Sequence, residues 1–178
     1  MRKLKNEELG RLTLDQYQTS AKNPLTIVLD NVRSLNNIGS VFRIGDGFRI
    51  ERVILCGIST TPPHRDIHKT ALGAEDSVKW EYFAETIEAL KALRKDGYHI
   101  ASVEQVENSV SLDKFVPPKD RPLALVFGHE VKGVQQEVVN ESDSCIEIPQ
   151  HGTKHSFNIS VSVGIVLWEL SRKIQKNW

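Results

Sequence analysis

Short apolar runs recur along the chain, each separated from the next by a polar or helical stretch. The runs are rich in Val, Ile and Leu and lack a polar face, which is typical of parallel strands covered on both sides. We predict strands over Leu25–Leu29, Arg52–Cys56, Tyr98–Val103, Leu123–Phe127 and Cys145–Ile148, and more weakly over Val78–Phe83.

Helical patterns lie between these runs. Glu85–Lys95 has apolar residues at helical spacing and ends at Asp96-Gly97, a common helix stop. Shorter helices are predicted over Asn37–Phe48 and Val134–Asn140. Strands that alternate with helices predict an α/β fold, a mostly parallel sheet with helices on both faces.

The segment HSFNISVSVGIVLWEL, from His155 to Leu170, gives a mixed signal. Ser156, Asn158, Ser160 and Ser162 occupy every second position, which favours a strand with one polar face. The residues that follow have the pattern of a helix. The residues alone leave both interpretations open.

Composition is that of an ordinary globular protein, with 178 residues, 39% hydrophobic and 26% charged. We expect one domain over 1–178 with an N-terminal extension over 1–23, and neither a signal peptide nor a membrane span. Cys56 and Cys145 sit in apolar runs, so we expect unpaired thiols and a cytoplasmic protein. A net charge of zero gives no support to nucleic-acid binding, although Lys and Arg cluster at both ends.

In a parallel sheet, ligands bind beyond the carboxyl ends of the strands, so the loops after the predicted strands are informative. After Leu29, any of Asn31, Asn36 and Asn37 could cap the next helix. Arg43 lies in the first turns of that helix. A helix start beside an arginine favours a phosphate, although a cap and a surface arginine are an equal alternative.

The loops after Phe127 and Ile148 carry further polar residues. Gly128 permits a tight turn or a close approach of the backbone to a ligand, and Glu130 follows two residues later. Ser156 and Asn158 follow the polar loop PQHGTKH. Because these loops meet at one edge of the sheet, the sequence predicts a shared polar site but does not name its reaction.

Three other kinds of site fit poorly. Gly45-Asp46-Gly47 closes a helix rather than opening one, which argues against a dinucleotide site. The paired histidines, His64 with His68 and His151 with His155, lack the Glu of an H-E-x-x-H metal motif. No G-x-S-x-G turn surrounds Ser156, so a hydrolase triad has little support.

Three segments, NNIGSVFRIGDGF, LALVFGHEVKGV and CIEIPQHGTKHSFNISVSVGI, resemble in order and spacing the motifs of the SpoU (TrmH-like) RNA ribose 2′-O-methyltransferases of the SPOUT superfamily. The resemblance spans Leu25 to Leu170, and KTALGAED at Lys69–Asp76 is similar to a further family segment. It implies an α/β fold with a C-terminal deep trefoil knot. It also implies a homodimer with composite active sites, whose interface Trp168, Leu170 and Ile174 would suit, although burial against their own sheet explains them equally.

The resemblance also implies roles for individual residues. The expected catalytic residues are Asn37, Arg43, Glu130, Ser156 and Asn158. The expected contacts to S-adenosylmethionine, made largely by backbone, are Val103, Gly128, Ile148 and Phe157, where Phe157 replaces the usual Leu. It further implies that Asn158 begins the terminal helix, with Ser160 and Ser162 as small packing residues.

The implied reaction moves a methyl group to a ribose 2′-oxygen of RNA, with transfer RNA favoured over ribosomal RNA by analogy. A guanidinium is hard to deprotonate, so Arg43 suits a phosphate contact and charge stabilisation better than the role of base. Two alternatives stay open: a non-catalytic RNA-binding assembly factor with the same fold, and an enzyme that methylates a base nitrogen.

Overall fold

A parallel sheet of seven strands forms the centre of the computed structural model, which describes residues 1–174. The strands are β1 Asn23–Asp30, β2 Ile50–Cys56, β3 Lys79–Phe83, β4 His99–Val103, β5 Val110–Ser111, β6 Leu123–Phe127 and β7 Ser144–Glu147. Their order across the sheet is β3-β2-β1-β6-β4-β7-β5. All six predicted strands are therefore confirmed, with ends shifted by a residue or two, and only the two-residue β5 was not foreseen.

Helices cover both faces of the sheet, as predicted. After a short 3₁₀ helix at Asn6–Leu9, they are α1 Leu14–Thr19, α2 Leu35–Gly47, α3 Arg65–Ala71, α4 Ala74–Ser77, α5 Thr86–Lys95, α6 Gln136–Asn140 and α7 Ile159–Ile174. One core lies beneath α1 to α4 and α7, and a second lies beneath α5 and α6. The sequence pattern did not predict α1, α3 or α4, and it began α6 two residues too early while placing its end correctly.

Ser34 caps α2, so the expectation of an asparagine cap was wrong. The Ser34 hydroxyl accepts a hydrogen bond of 3.3 Å from the backbone N–H of Asn37. Asn31 instead closes the turn after β1, where its φ is 57° and its amide oxygen accepts from Ile58 N. The side chain of Asn37 is used elsewhere, and the carbonyl of Asn36 accepts from the hydroxyls of Ser40 and Thr70.

The segment after Phe157 is a helix and not a strand. Asn158 is its cap: the Asn158 carbonyl accepts from Ser162 N, and the side-chain oxygen accepts from Ser160 N at 2.9 Å. The buried positions of α7 follow helical spacing. Tertiary packing thus overrides the local alternation, and Ser160 is part of the cap rather than only a packing residue, since its hydroxyl also donates to Asn158.

Both cysteines are free, as expected, and burial raises the pKa of the Cys56 thiol to about 12. Within residues 1–174, no helix is both long enough and apolar enough to span a membrane. Gly45 and Gly47 fall in the last turn of α2, consistent with their rejection as a dinucleotide loop.

Candidate active site

Three loops at the carboxyl edge of the sheet are joined by a chain of side-chain hydrogen bonds. Asn158 Nδ2 donates to Asn37 Oδ1 at 3.1 Å, and Asn37 Nδ2 donates to Glu130 Oε1 at 3.0 Å. These residues come from the start of α7, the first turn of α2 and the loop after β6. We call Asn37, Glu130 and Asn158 the relay. The structure therefore brings together three of the five predicted catalytic residues.

Glu130 is the final hydrogen-bond acceptor of the relay. Its two carboxylate oxygens also accept backbone N–H groups from Ser34 at 2.8 Å and Arg33 at 3.1 Å. Burial alone would raise the pKa of Glu130, but the hydrogen bonds that it accepts lower that pKa below its ordinary value. Glu130 therefore stays ionised at neutral pH and fixes the turn that leads into α2.

A buried carboxylate that the sequence analysis missed anchors the loop after β6. Asp30 ends β1 and is fully buried, and its oxygens accept from Gln135 N at 2.8 Å and Gln135 Nε2 at 2.7 Å. Thr86 Oγ1 donates to the same carboxylate at 2.6 Å. An acidic residue at the end of an otherwise apolar strand was the signal available in the sequence.

Glu104, a second missed carboxylate, ties the loop after β4 to the loop after β6. Glu104 Oε2 accepts from Val134 N at 2.9 Å. Gly133 has a φ of 70°, and a Cβ at that position would lie 2.2 Å from Glu104 Oε2. A side chain here would displace the Glu104 carboxylate, and the positive φ also favours glycine at this position.

A cleft of about 700 Å³ opens between the loops after β4, β6 and β7. All four predicted cofactor contacts line it: Val103, Gly128, Ile148 and Phe157. Glu130, Ser156 and Asn158 line it as well. On its wall, Gln105 Nε2 donates to the carbonyl of His155 at 2.8 Å, so the loop after β4 also fixes the segment that carries Ser156.

The lining of the cleft fits S-adenosylmethionine. Phe157 is an apolar ring that is 42% exposed, which suits an adenine face, and Val103 and Ile148 add aliphatic surface. A Cβ on Gly128 would lie 2.1 Å from the backbone of Gly133 and Val134, so this loop folds back on itself only with glycine. The volume suffices for a nucleoside with an amino-acid tail.

Arg43 lies apart from the relay. It is exposed, and within residues 1–174 no acceptor lies within hydrogen-bonding distance of it. Six residues of helix separate it from Asn37, about 9 Å along the axis and about 120° around it. The structure thus does not join Arg43 to the cleft of its own chain.

The helix that carries Arg43 packs against α7, which exposes two apolar side chains. Val161 and Trp168 lie on one stripe of α7 and are 49% and 55% exposed. Gly164, on the same stripe, lies against Ile44, the neighbour of Arg43 in α2. We call these exposed residues of the neighbouring helices α2 and α7, namely Arg43, Val161 and Trp168, the outer face. Leu170, in contrast, is fully buried in the core of its own chain.

A parallel α/β sheet with a polar relay and a ligand cleft at its carboxyl edge defines a class of nucleotide- and cofactor-binding proteins. Comparison with known sequences identifies the family within that class. Residues 24–168 match the SpoU rRNA Methylase family, so the chain belongs to that family.

Individual relatives agree with this assignment. A 23S rRNA (guanosine-2′-O-)-methyltransferase of Nitrosomonas europaea is 32% identical over 158 residues, or 84% of this chain and 56% of that protein. A tRNA (guanosine(18)-2′-O)-methyltransferase of Borreliella burgdorferi is 27% identical over 87% of this chain and 69% of its own length. The chain spans 56–69% of the length of the curated relatives that it matches.

The fold also matches solved structures. An AdoMet-bound rRNA methyltransferase from Sinorhizobium meliloti superposes with a TM-score of 0.79 over 92% of this chain and 60% of that chain, at 24% sequence identity. At this identity the likeness concerns the fold.

Proposed function

We propose that this chain is an S-adenosylmethionine-dependent RNA methyltransferase that modifies a ribose 2′-hydroxyl. The observation that carries the proposal is the relay, because it joins the three family segments through Asn37, Glu130 and Asn158 at the mouth of a cleft that fits the cofactor. The substrate is a transfer RNA or a ribosomal RNA, the two classes on which the named relatives act.

The cofactor, when bound, supplies an electrophilic methyl group on its sulfonium. Val103, Gly128, Ile148 and Phe157 would hold it, with Phe157 against the adenine. Ser156 and Asn158 line the same cleft, where the ribose hydroxyl would have to approach the cofactor. The protein then has to place the ribose hydroxyl in line with the methyl group.

The relay positions its neighbours and leaves no acid or base free. Asn158 donates a hydrogen bond to Asn37, and Asn37 donates one to Glu130. The Glu130 carboxylate also accepts from a backbone N–H group. A rigid, satisfied network of this kind fixes the start of α7 and of α2 relative to each other. Ser156, exposed at the rim of the cleft, remains available to hydrogen-bond the ribose.

Arg43 stabilises negative charge in this proposal. A guanidinium remains protonated at any physiological pH, and its planar donors suit both a phosphate and an oxygen that gains charge as its proton leaves. Since Arg43 lies outside the cleft of its own chain, we place it at the cleft of a second protomer. The active site is then composite, and the outer face forms the interface of a homodimer.

We further propose that the C-terminal part forms a deep trefoil knot within a single domain over 1–178, with 1–23 as its extension. The position of β7 supports this, because the last strand lies between β4 and β5 inside the sheet. The free thiol of Cys56 supports a reducing, cytoplasmic location.

Binding of the cofactor and the chemistry of the product test the function in turn. Isothermal titration with S-adenosylmethionine should show one site per chain, and its absence would favour a non-catalytic RNA-binding factor. RNA from a strain that lacks the protein should miss one 2′-O-methyl mark, which the purified protein restores. A methyl group found on a base nitrogen would overturn the ribose assignment.

A further inference from the structure

A second depression, of about 590 Å³, lies on the flank of the sheet outside the cofactor cleft. It is formed by the loop before α3, by α3 and α4, and by the edge strand β3. Its lining includes Pro63, Arg65, His68, Glu75, Asp76 and Trp80. None of these residues lines the cofactor cleft or belongs to the relay.

A buried acceptor lies at the base of this depression. The Glu75 side chain is only 8% exposed, and its Oε1 lies 2.6 Å from His68 Nδ1. Its other oxygen, Oε2, is buried and has no hydrogen-bond partner within residues 1–174. A carboxylate can only accept, and leaving a buried acceptor unpaired is costly. Glu75 therefore points to a ligand that brings N–H donors. The His68 side chain, which contacts Oε1, is 67% exposed, so a ligand that displaces His68 would reach this carboxylate.

The walls of the depression suit a flat aromatic ring. Trp80 is 37% exposed although it belongs to a strand, and Pro63 is exposed beside it in the lining. Unpaired bases of RNA stack on aromatic side chains of this kind, which is one of the main ways in which proteins hold single-stranded nucleic acid. An indole, a proline ring and a buried carboxylate together resemble a site for a nucleobase more than a site for a simple ion.

The lining of the depression includes one permanent cation, Arg65, beside the carboxylates of Glu75 and Asp76. Arg65 is exposed and has no acceptor among the described residues, so its guanidinium is available to a phosphate. His64 Nδ1 accepts from Asp66 N at 3.1 Å, which leaves the other ring nitrogen of His64 as a potential donor. Phosphate contacts position a nucleic acid, while contacts to base edges select its sequence.

The depression is connected to the catalytic region through α3. Thr70 Oγ1 donates to the carbonyl of Asn36 at 3.0 Å, directly beside the relay residue Asn37. A Cβ on Gly39 would lie 2.2 Å from Ile67 O, so α2 and α3 are in close contact. Thr70, beside the relay, and Arg65, at the depression, are about 8 Å apart along α3. A few nucleotides of single-stranded RNA can span that distance.

We propose that this depression binds one unpaired nucleotide of the RNA substrate and selects a base that carries amino protons, guanine fitting best. Trp80 stacks on the base, Glu75 accepts from its N1–H and N2–H₂ groups, and Arg65 contacts its phosphate. The proposal rests on the proposed function, because it assigns a base-selecting site to the same RNA.

Nuclear magnetic resonance of the labelled full chain tests this site, with the cofactor cleft saturated by S-adenosylhomocysteine. Titration with guanosine 5′-monophosphate should shift the backbone amides of residues 64–80. Uridine 5′-monophosphate, which lacks the amino group, should bind at least about tenfold more weakly. Inorganic phosphate alone should shift only the amides near Arg65.

Matched variants separate the contributions of Glu75 and Trp80. Glu75→Gln should weaken guanosine monophosphate about tenfold and leave the uridine nucleotide unchanged. Trp80→Ala should weaken both nucleotides about tenfold, and Trp80→Phe should retain most of the affinity. Glu88→Gln, an exposed change on α5, should have no effect.

Two results would overturn the site. Equal shifts with both nucleotides and with phosphate would show an adventitious ion only, and shifts confined to the cofactor cleft would show that the depression binds no base. Neither result depends on methyl transfer, so an active enzyme without these shifts would refute the proposed base-binding site and leave the proposed function intact. A protein that shows the shifts but transfers no methyl group would refute the proposed function instead.

Discussion

The relay and the outer face differ in how far one chain satisfies their polar groups. In the relay, Glu130 accepts hydrogen bonds from two backbone amides and one side-chain amide, and Asn37 accepts one from Asn158. On the outer face, Arg43 of α2 and the apolar Val161 and Trp168 of α7 are all exposed. The hydrogen bonds of the relay are complete within one chain. The groups of the outer face, in contrast, would gain partners only if a second surface covered them. In the proposed dimer, one chain therefore supplies the cofactor cleft and the second chain supplies the guanidinium.

Removal of the guanidinium on the outer face should have the largest effect. Arg43→Ala is expected to reduce methyl transfer by about a thousandfold, since a charge-stabilising donor is lost. Titration should show that the affinity for S-adenosylmethionine is unchanged, because Arg43 does not line the cleft. Arg43→Lys keeps the charge without the planar fork and should recover part of the rate. Wild-type activity in Arg43→Ala would refute the assignment.

A charge in the middle of the outer face should come next. Trp168→Asp places a carboxylate where the proposed interface buries an indole, so sedimentation should find monomers, and activity should fall by about a hundredfold. Trp168→Phe is the control and should remain dimeric. A Trp168→Asp protein that stays dimeric with full activity would show that the outer face is not the interface.

Loss of the charge in the relay should mainly reduce stability. Glu130→Gln replaces one acceptor oxygen with a donor that faces N–H groups, so the free energy of unfolding should fall by about 1–3 kcal/mol. Glu137→Gln in the first turn of α6 is a matched control. Urea denaturation measures the difference, and an unchanged midpoint would mean that the hydrogen bonds of Glu130 add nothing to stability.

The stability difference between wild type and Glu130→Gln should also depend on pH. The pKa of Glu130 is lowered on folding, so its contribution is present above the unfolded pKa of about 4.3. That contribution is lost as the pH falls through the lower pKa of the folded state. The difference measured at pH 7 should therefore shrink under acid conditions, and a difference that grows toward low pH would contradict the assigned direction.

The strands of this fold were predictable because each is a buried run of aliphatic residues, and burial on both sides leaves a strong pattern. The two-residue β5 leaves no such pattern. The short helices α3 and α4, of seven and four residues, were missed because the segment after Pro62 and Pro63 resembles a loop in sequence. The sequence also suggested a strand after Ser156, and only the family resemblance corrected this to a helix.

The contacts that hold the site together could not be predicted from local patterns. Asp30 and Gln135 are 105 residues apart, and Asn37 and Asn158 are 121 apart. Periodicity reports which face of an element is buried, but not which distant side chain it meets. For the same reason Asn37 was predicted as a cap: its capacity to cap is local, while its hydrogen bond to Glu130 depends on the whole fold.

The smallest effect should come from breaking one link of the relay while keeping the helix cap. Asn158→Asp retains an oxygen to accept from Ser160 N but loses the amide that donates to Asn37. We expect methyl transfer to fall by about tenfold with little change in melting temperature, whereas Asn158→Ala should also lose about 1 kcal/mol of stability through the missing cap. If both variants lose activity only in proportion to stability, Asn158 acts as a helix cap alone. If Asn158→Asp is slow but stable, the link to Asn37 aligns the two helices for the reaction, and the relay is more than a structural brace.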